Sequence, residues 1–146
     1  MRRALTPVVL GLTALLAVAG ASHSDPKPLS HSDSKPVSHS GPKLVTVNLI
    51  MVDYKFIPDH LRFHHDVHYR LHMENHGTET HEVTAPVFFA TAQIDNPAIL
   101  NRERTEIVVQ PGEIKDLYLT PHKPGTYDLR CSDHDWNGMV GGITVE

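Results

Sequence analysis

Cysteine is nearly absent: the chain of 146 residues has one, Cys131. A lone cysteine excludes an internal disulfide framework, the usual employment of cysteine in exported chains. What remains is a buried thiol, an intermolecular link or a metal ligand. Aromatic residues are scarce too, at 6%, with Trp136 the sole tryptophan. There is no basic excess, since 13 Lys and Arg stand against 17 Asp and Glu. Nucleic acid is therefore not expected as a partner, because phosphates need a basic face. No long amphipathic helical pattern is present, and the one extended apolar run is short for a membrane span.

That run lies in residues 1–21, which read as a secretory signal. Arg2 and Arg3 open it, Pro7 to Ala19 is apolar, and Ala19-Gly20-Ala21 is a small-residue cleavage site. Cleavage after Ala21 would remove two basic and no acidic residues, so the mature balance is 11 − 17 = −6. A periplasmic or secreted protein is expected, with no stable membrane insertion after cleavage. A basic redox partner would suit its charge. Residues 22–42 fall within an octapeptide repeat, HSDPKPLS, HSDSKPVS, HSGPKLVT. This stretch lacks the apolar bulk to bury a core and reads as a disordered tether. Its recurring His23, His31 and His39 suggest metal scavenging, but a plain spacer is the preferred reading. Chelation by one histidine per eight flexible residues would carry a large ordering cost.

From Lys43 to Glu146 the composition is that of a folded domain. LVTVNLIMVDYKF is apolar and β-branched, a first strand region ended near Pro58. His60 to Phe63 is a short strand. Asp66 to Glu74 alternates, with Val67, Tyr69, Leu71 and Met73 on one face and His68, Arg70, His72 and Glu74 on the other. Further strands are expected from His81 to Ala85, Thr105 to Gln110, Ile114 to Thr120, 126–130 and after Met139. Residues 88–100 lack clean alternation and suggest a short helix or an irregular excursion. The expected fold class is an all-β Greek-key sandwich of about seven to eight strands. The domain is expected to be a monomer.

The densest chemistry lies in GTYDLRCSDHDWNGMVGGITVE, residues 125–146. Cys131 is followed by His134 and Met139 on a loop between two strands. Thiolate, imidazole and thioether are soft and borderline donors that suit copper rather than calcium or magnesium. Upstream, NHGTETHEV supplies His81 just before an apolar strand. Two His, one Cys and a weak axial Met compose the donor set of a blue-copper site. Backbone N–H groups near Asn75 and Glu82 are candidates to orient the ligands. His64, His68 and His72 recur at four-residue intervals on one expected strand face. Steps of about 13 Å cannot share one metal, so a solvated polar face is the preferred reading.

C-x2-H-x4-M, preceded by G-x-Y and followed by V-G-x-I-x-V, resembles the ligand loop of plastocyanin, azurin and related small cupredoxins. N-x5-H from Asn75 to His81 resembles their first-ligand segment. The resemblance covers roughly residues 43–146. It implies one type 1 copper ion held by His81, Cys131, His134 and Met139. It also implies one-electron transfer between redox protein partners, with His134 as the exposed electron port. Trp136, Met139 and Val140 would form an apolar contact zone beside it, rimmed by Asp133 and Asp135. Arg130 stands where these proteins often carry an aromatic residue, and DHDW is more acidic than usual.

The alternative function is a copper carrier or chaperone delivering metal to an oxidase or a resistance system. The His-bearing tether favours that reading mildly, whereas the compact thiolate loop favours retention. An enzyme is not expected, because the chain has no His-x-His pair of the kind that builds multicopper clusters.

Overall fold

The computed structural model describes residues 43–146. Residues 1–42, with the expected signal segment and tether, lie outside the described residues. Ten strands form two five-stranded sheets, so the sandwich holds more strands than the seven or eight expected. The first sheet contains β1 (Val45–Val52), β2 (Lys55–Ile57), β4 (Tyr69–Asn75), β6 (Ala92–Ile94) and β8 (Ile114–Pro121), in the order β2-β1-β4-β8-β6. The second contains β3 (His60–Phe63), β5 (His81–Thr84), β7 (Glu106–Val109), β9 (Gly125–Arg130) and β10 (Val140–Val145), in the order β3-β10-β9-β5-β7. The surplus comes from the three-residue strands β2 and β6, too short to show alternation in sequence.

Most neighbours are antiparallel, but β1 runs parallel to β4 and β3 parallel to β10. Period-two burial sets the layers. In β4, Tyr69, Leu71, Met73 and Asn75 point inward, while Arg70, His72 and Glu74 face outward. Their inward partners include Leu49 and Met51 of β1 and Leu117 and Leu119 of β8, all fully buried. Leu61, Phe63, Val83, Ile107, Leu129 and Ile143 line the facing sheet. The strand expected from Asp66 starts three residues later, at Tyr69, and β3 stops at Phe63. His64 and His68 therefore lie outside the strands, and only His72 sits on the outer sheet face. The three-histidine strand face does not exist.

The irregular stretch has a clear physical role. It forms the helix α1 (Pro86–Thr91), then β6, then a single 3-10 turn over Pro97–Ile99. Pro86 begins the helix where a backbone N–H would be unpaired anyway. α1 drives Phe88 and Phe89 into the core. The Phe88 ring lies 5.4 Å from Phe63 and 5.6 Å from Tyr127, and Phe63 meets Tyr69 edge-on at 4.9 Å. Tyr127 packs at the core margin and donates its Oη–H to the Lys123 carbonyl at 2.6 Å. Phe88→Ala is expected to cost about 3–5 kcal/mol, the range for emptying an aromatic core site. Urea unfolding of the variant, compared with a surface change such as Val87→Ala, measures it.

Candidate metal centre

Four connections meet at one end of the sandwich. They are the β1–β2 turn at Asp53 and Tyr54, the β4–β5 loop, the β7–β8 turn and the β9–β10 loop that carries Cys131. The last is folded by its own backbone. Cys131 N–H donates to the Met139 carbonyl at 3.0 Å, and Met139 N–H donates to the His134 carbonyl at 3.2 Å. A 3-10 turn over Asp135–Asn137 ends at Gly138, whose φ of +86° is a left-handed conformation that favours glycine. Cys131 and Met139 are fully buried as a result.

His81 arrives from the β4–β5 loop and is also fully buried. Its Nδ1 stands 3.9 Å from the Cys131 sulfur. The Nδ1 of His134 stands 3.4 Å from the same sulfur. His81, Cys131 and His134 offer ligand atoms within 4.8 Å of one another, and no other such group of His, Cys, Asp and Glu occurs among the described residues. The two imidazole planes meet edge-on, with centroids 5.1 Å apart. Two nitrogens and a sulfur that converge in an enclosed space fit a soft or borderline transition metal. Met139 adds a buried thioether to the same loop.

Both far ring nitrogens are also engaged. His81 Nε2 is paired with Asp53 Oδ1 at 2.8 Å. Asp53 in turn accepts Thr78 N–H at 2.9 Å and Thr78 Oγ1–H at 2.7 Å. These bonds, led by the Thr78 backbone N–H, hold the Asp53 carboxyl well below the usual carboxylate range. A carboxylate at Nε2 fixes the tautomer that leaves the Nδ1 lone pair for a metal. Gly77 makes room for it, since a Cβ there would collide with Asp53 Oδ1 and lie 2.9 Å from His81 Nε2. His134 Nε2 is likewise paired with Glu79 Oε2, at 3.1 Å.

The sulfur has its own partners. Glu82 N–H donates to it at 3.4 Å, and the thiol donates to the buried Glu82 Oε2 at 2.9 Å. Asp133 N–H donates to that same oxygen at 3.3 Å, tying the ligand loop to β5. Burial first, and the Glu82 carboxylate second, push the Cys131 thiol up to about 11.

The structure brings His81, Cys131 and His134 together, and Met139 lies buried on the same loop as Cys131 and His134. It alters the expected surroundings. His134 is only 9% exposed and its Nε2 is covered by Glu79, so it presents no open imidazole edge. Met139 is wholly buried and contributes nothing to an outer contact zone. Asn75 is no simple turn residue: it is fully buried, and its amide bridges the loop. Asp53, Tyr54, Glu79 and the Glu82 side chain escaped sequence reasoning. The one local hint was an Asp-Tyr pair interrupting an otherwise apolar strand region.

A two-sheet sandwich with an enclosed Cys-His-His cluster at the strand ends defines a class of small metal-binding β domains. The sequence matches the profile of the Cupredoxin-like domain over residues 11–145, and the chain belongs to that family. Solved structures agree in fold. Auracyanin B is similar at 20% identity and a TM-score of 0.54, over 73% of this chain and 91% of that one. Auracyanin from the photosynthetic bacterium Roseiflexus castenholzii, reduced with dithionite, is similar at 16% identity and a TM-score of 0.52, over 70% and 97%. Comparison with curated proteins finds no match.

The thiol of the metal-free protein is expected to stay protonated at neutral pH. A raised value disfavours the thiolate, so its ultraviolet absorption should develop only as pH approaches about 11. Glu82→Gln removes an adjacent negative charge and is expected to bring that absorption to lower pH. A spectrophotometric pH titration of both proteins checks this.

Proposed function

We propose that the protein is a type 1 copper protein that carries single electrons between redox partners. What carries this reading is the approach of two imidazole Nδ1 atoms to one buried sulfur, in an enclosed site on rigid strand ends. In the proposal His81 Nδ1, Cys131 Sγ and His134 Nδ1 would be the principal ligands, and the Met139 thioether would be a weaker further donor. When bound, copper would supply a one-electron couple. The chain would supply the fixed donors: the loop bonds around Cys131 restrain the sulfur, and Asp53 and Glu79 restrain the imidazoles. Such restraint limits rearrangement between oxidation states. Near-complete burial of the donors favours retention of metal over delivery, and so favours electron transfer over the carrier or chaperone role.

Residues 43–146 are proposed to hold the whole function. Residues 1–21 would direct export to the periplasm or outside the cell, and residues 22–42 would serve as a spacer. Copper-loaded protein is expected to show an intense visible thiolate–copper band when oxidised and to be pale when reduced. Cys131→Ser should abolish the band, and Met139→Leu should keep it while raising the reduction potential. A chain starting at Lys43 should give the same spectrum and nearly the same melting temperature. Retention of an intense band by Cys131→Ser would refute the ligand assignment.

The docking face is proposed to lie beside the ligand loop. Trp136 is 78% exposed, Val140 54% and Ile57 49%. A groove of about 450 Å³ between Trp136 and Val140 is bordered by Arg130, Asp128 and Asp135. Small apolar patches with charged rims suit transient redox contacts. Arg130 makes this rim mixed in sign, with its Nη1 3.9 Å from Asp135 Oδ2. Changing Asp133 and Asp135 together to Asn is expected to slow electron transfer to a cationic partner at low salt, with an unchanged copper spectrum. The difference should fade at physiological ionic strength, as screening shortens to about 8 Å. Stopped-flow rates across a salt series measure it.

A further inference from the structure

Glu79 reaches the metal centre from the β4–β5 loop, two residues before His81. Its Oε2 lies 3.1 Å from His134 Nε2, while His134 Nδ1 faces the sulfur at 3.4 Å. The two ring nitrogens thus have separate partners, and the ring is almost wholly enclosed. One tautomer satisfies both: Nε2–H donates to the carboxylate, and the Nδ1 lone pair points at the metal side.

An exposed His–carboxylate pair is ordinarily a weak surface contact. The Glu79 side chain is half exposed, but both its carboxylate oxygens and both its backbone polar groups are engaged. Its Oε1 accepts the Tyr54 Oη–H at 3.1 Å. Its carbonyl accepts Asn75 Nδ2–H at 2.8 Å, and its N–H points to Asp53 Oδ1 at 3.4 Å. The Tyr54 ring, held by the same carboxylate, covers the His134 ring at a centroid distance of 4.8 Å. Tyr54 comes from the β1–β2 turn, Glu79 from the β4–β5 loop and His134 from the β9–β10 loop. Three separate segments are therefore joined through one carboxylate, on the side of the imidazole away from the sulfur.

We propose that Glu79 is a positioning residue of the metal centre, whose carboxylate turns His134 Nδ1 toward Cys131 and whose charge biases bound copper toward its oxidised state. The second half rests on the copper reading above. A carboxylate hydrogen-bonded to a ligand imidazole makes that ligand a stronger donor, and the more highly charged ion gains most from it. Such partners typically alter metal affinity by about 10- to 100-fold. Tyr54 acts one step further out, by holding the carboxylate in place.

The test uses the mature chain with Glu79→Gln, Glu79→Ala, Tyr54→Phe and, as a control for lost surface charge, Glu103→Gln on the loop before β7. In the metal-free protein, a slowly exchanging His134 Nε2–H signal by NMR is expected, and Glu79→Ala should lose it. Zinc, a redox-silent probe, should bind about tenfold more weakly to Glu79→Ala. In copper-loaded protein, Glu79→Gln should lower the preference for copper(II) over copper(I) about tenfold, a rise of about 59 mV in potential. Tyr54→Phe should shift the potential the same way by less. The proposal is overturned if Glu79→Gln moves the potential no more than Glu103→Gln does, or if the Nε2–H signal and zinc affinity are indifferent to Glu79→Ala. Absence of a thiolate–copper band in the unmodified protein would instead sink the copper reading. The imidazole signal and zinc affinity would still decide whether Glu79 positions His134.

Discussion

One buried amide holds the functional end of this sandwich together. Asn75 ends β4 with no exposed surface, and its side chain makes three hydrogen bonds. Its Nδ2 donates to the Glu79 carbonyl and to the Val109 carbonyl, both at 2.8 Å, and its Oδ1 accepts Gly77 N–H at 2.9 Å. Val109 belongs to β7 in the opposite sheet, so the amide ties the sheets together as well as closing the β4–β5 loop. A polar group buried this deeply is tolerated only when satisfied, and losing its partners would cost about 1–3 kcal/mol for each orphaned group. The positions of Glu79 and His81 both follow from the loop that Asn75 closes.

Negative charge is concentrated around that loop. Asp53, Glu79 and Glu82 each place a carboxylate against a histidine or the cysteine. Uncompensated burial of such groups would be expensive. Backbone N–H donors offset much of this for Asp53 through Thr78 and for Glu82 through Asp133. The arrangement suits a cation: an ion entering between the three donors would meet fixed negative charge on several sides. The same geometry removes the imidazole edge from the surface and places Tyr54 and Glu79 over it. The groove beside Trp136, bordered by Asp128, Arg130 and Asp135, offers an approach to the ligand loop from another side.

Five further histidines among the described residues pair with carboxylates away from the cluster. His72 faces Asp116 at 2.6 Å across the β4–β8 register and Glu74 at 3.1 Å, and His76 meets the other Glu74 oxygen at 2.8 Å. His68 meets Asp95, while His65 and His122 share Asp66. These contacts are spread over the outer face of the first sheet and both ends of the sandwich. None of these contacts brings three metal donors together as His81, Cys131 and His134 do, among the described residues.

The sequence by itself determined the strand pattern and the ligand loop. Period-two alternation between Tyr69 and Asn75, or between Glu106 and Val109, depends only on which face of a strand is buried. The Cys131, His134 and Met139 spacing is local, so the loop was legible without any tertiary contact. Helix α1 was legible only as one of two alternatives, because Phe88 and Phe89 owe their burial to contacts with distant strands, among them Phe63 and Tyr127. The partners of the two histidines were not legible. Asp53 lies 28 residues from His81, and Glu79 lies 55 residues from His134. No local propensity encodes a hydrogen bond between loops that far apart. Tertiary structure alone decided them, because their geometry exists only once both sheets have packed and their strand ends have brought the loops within bonding distance.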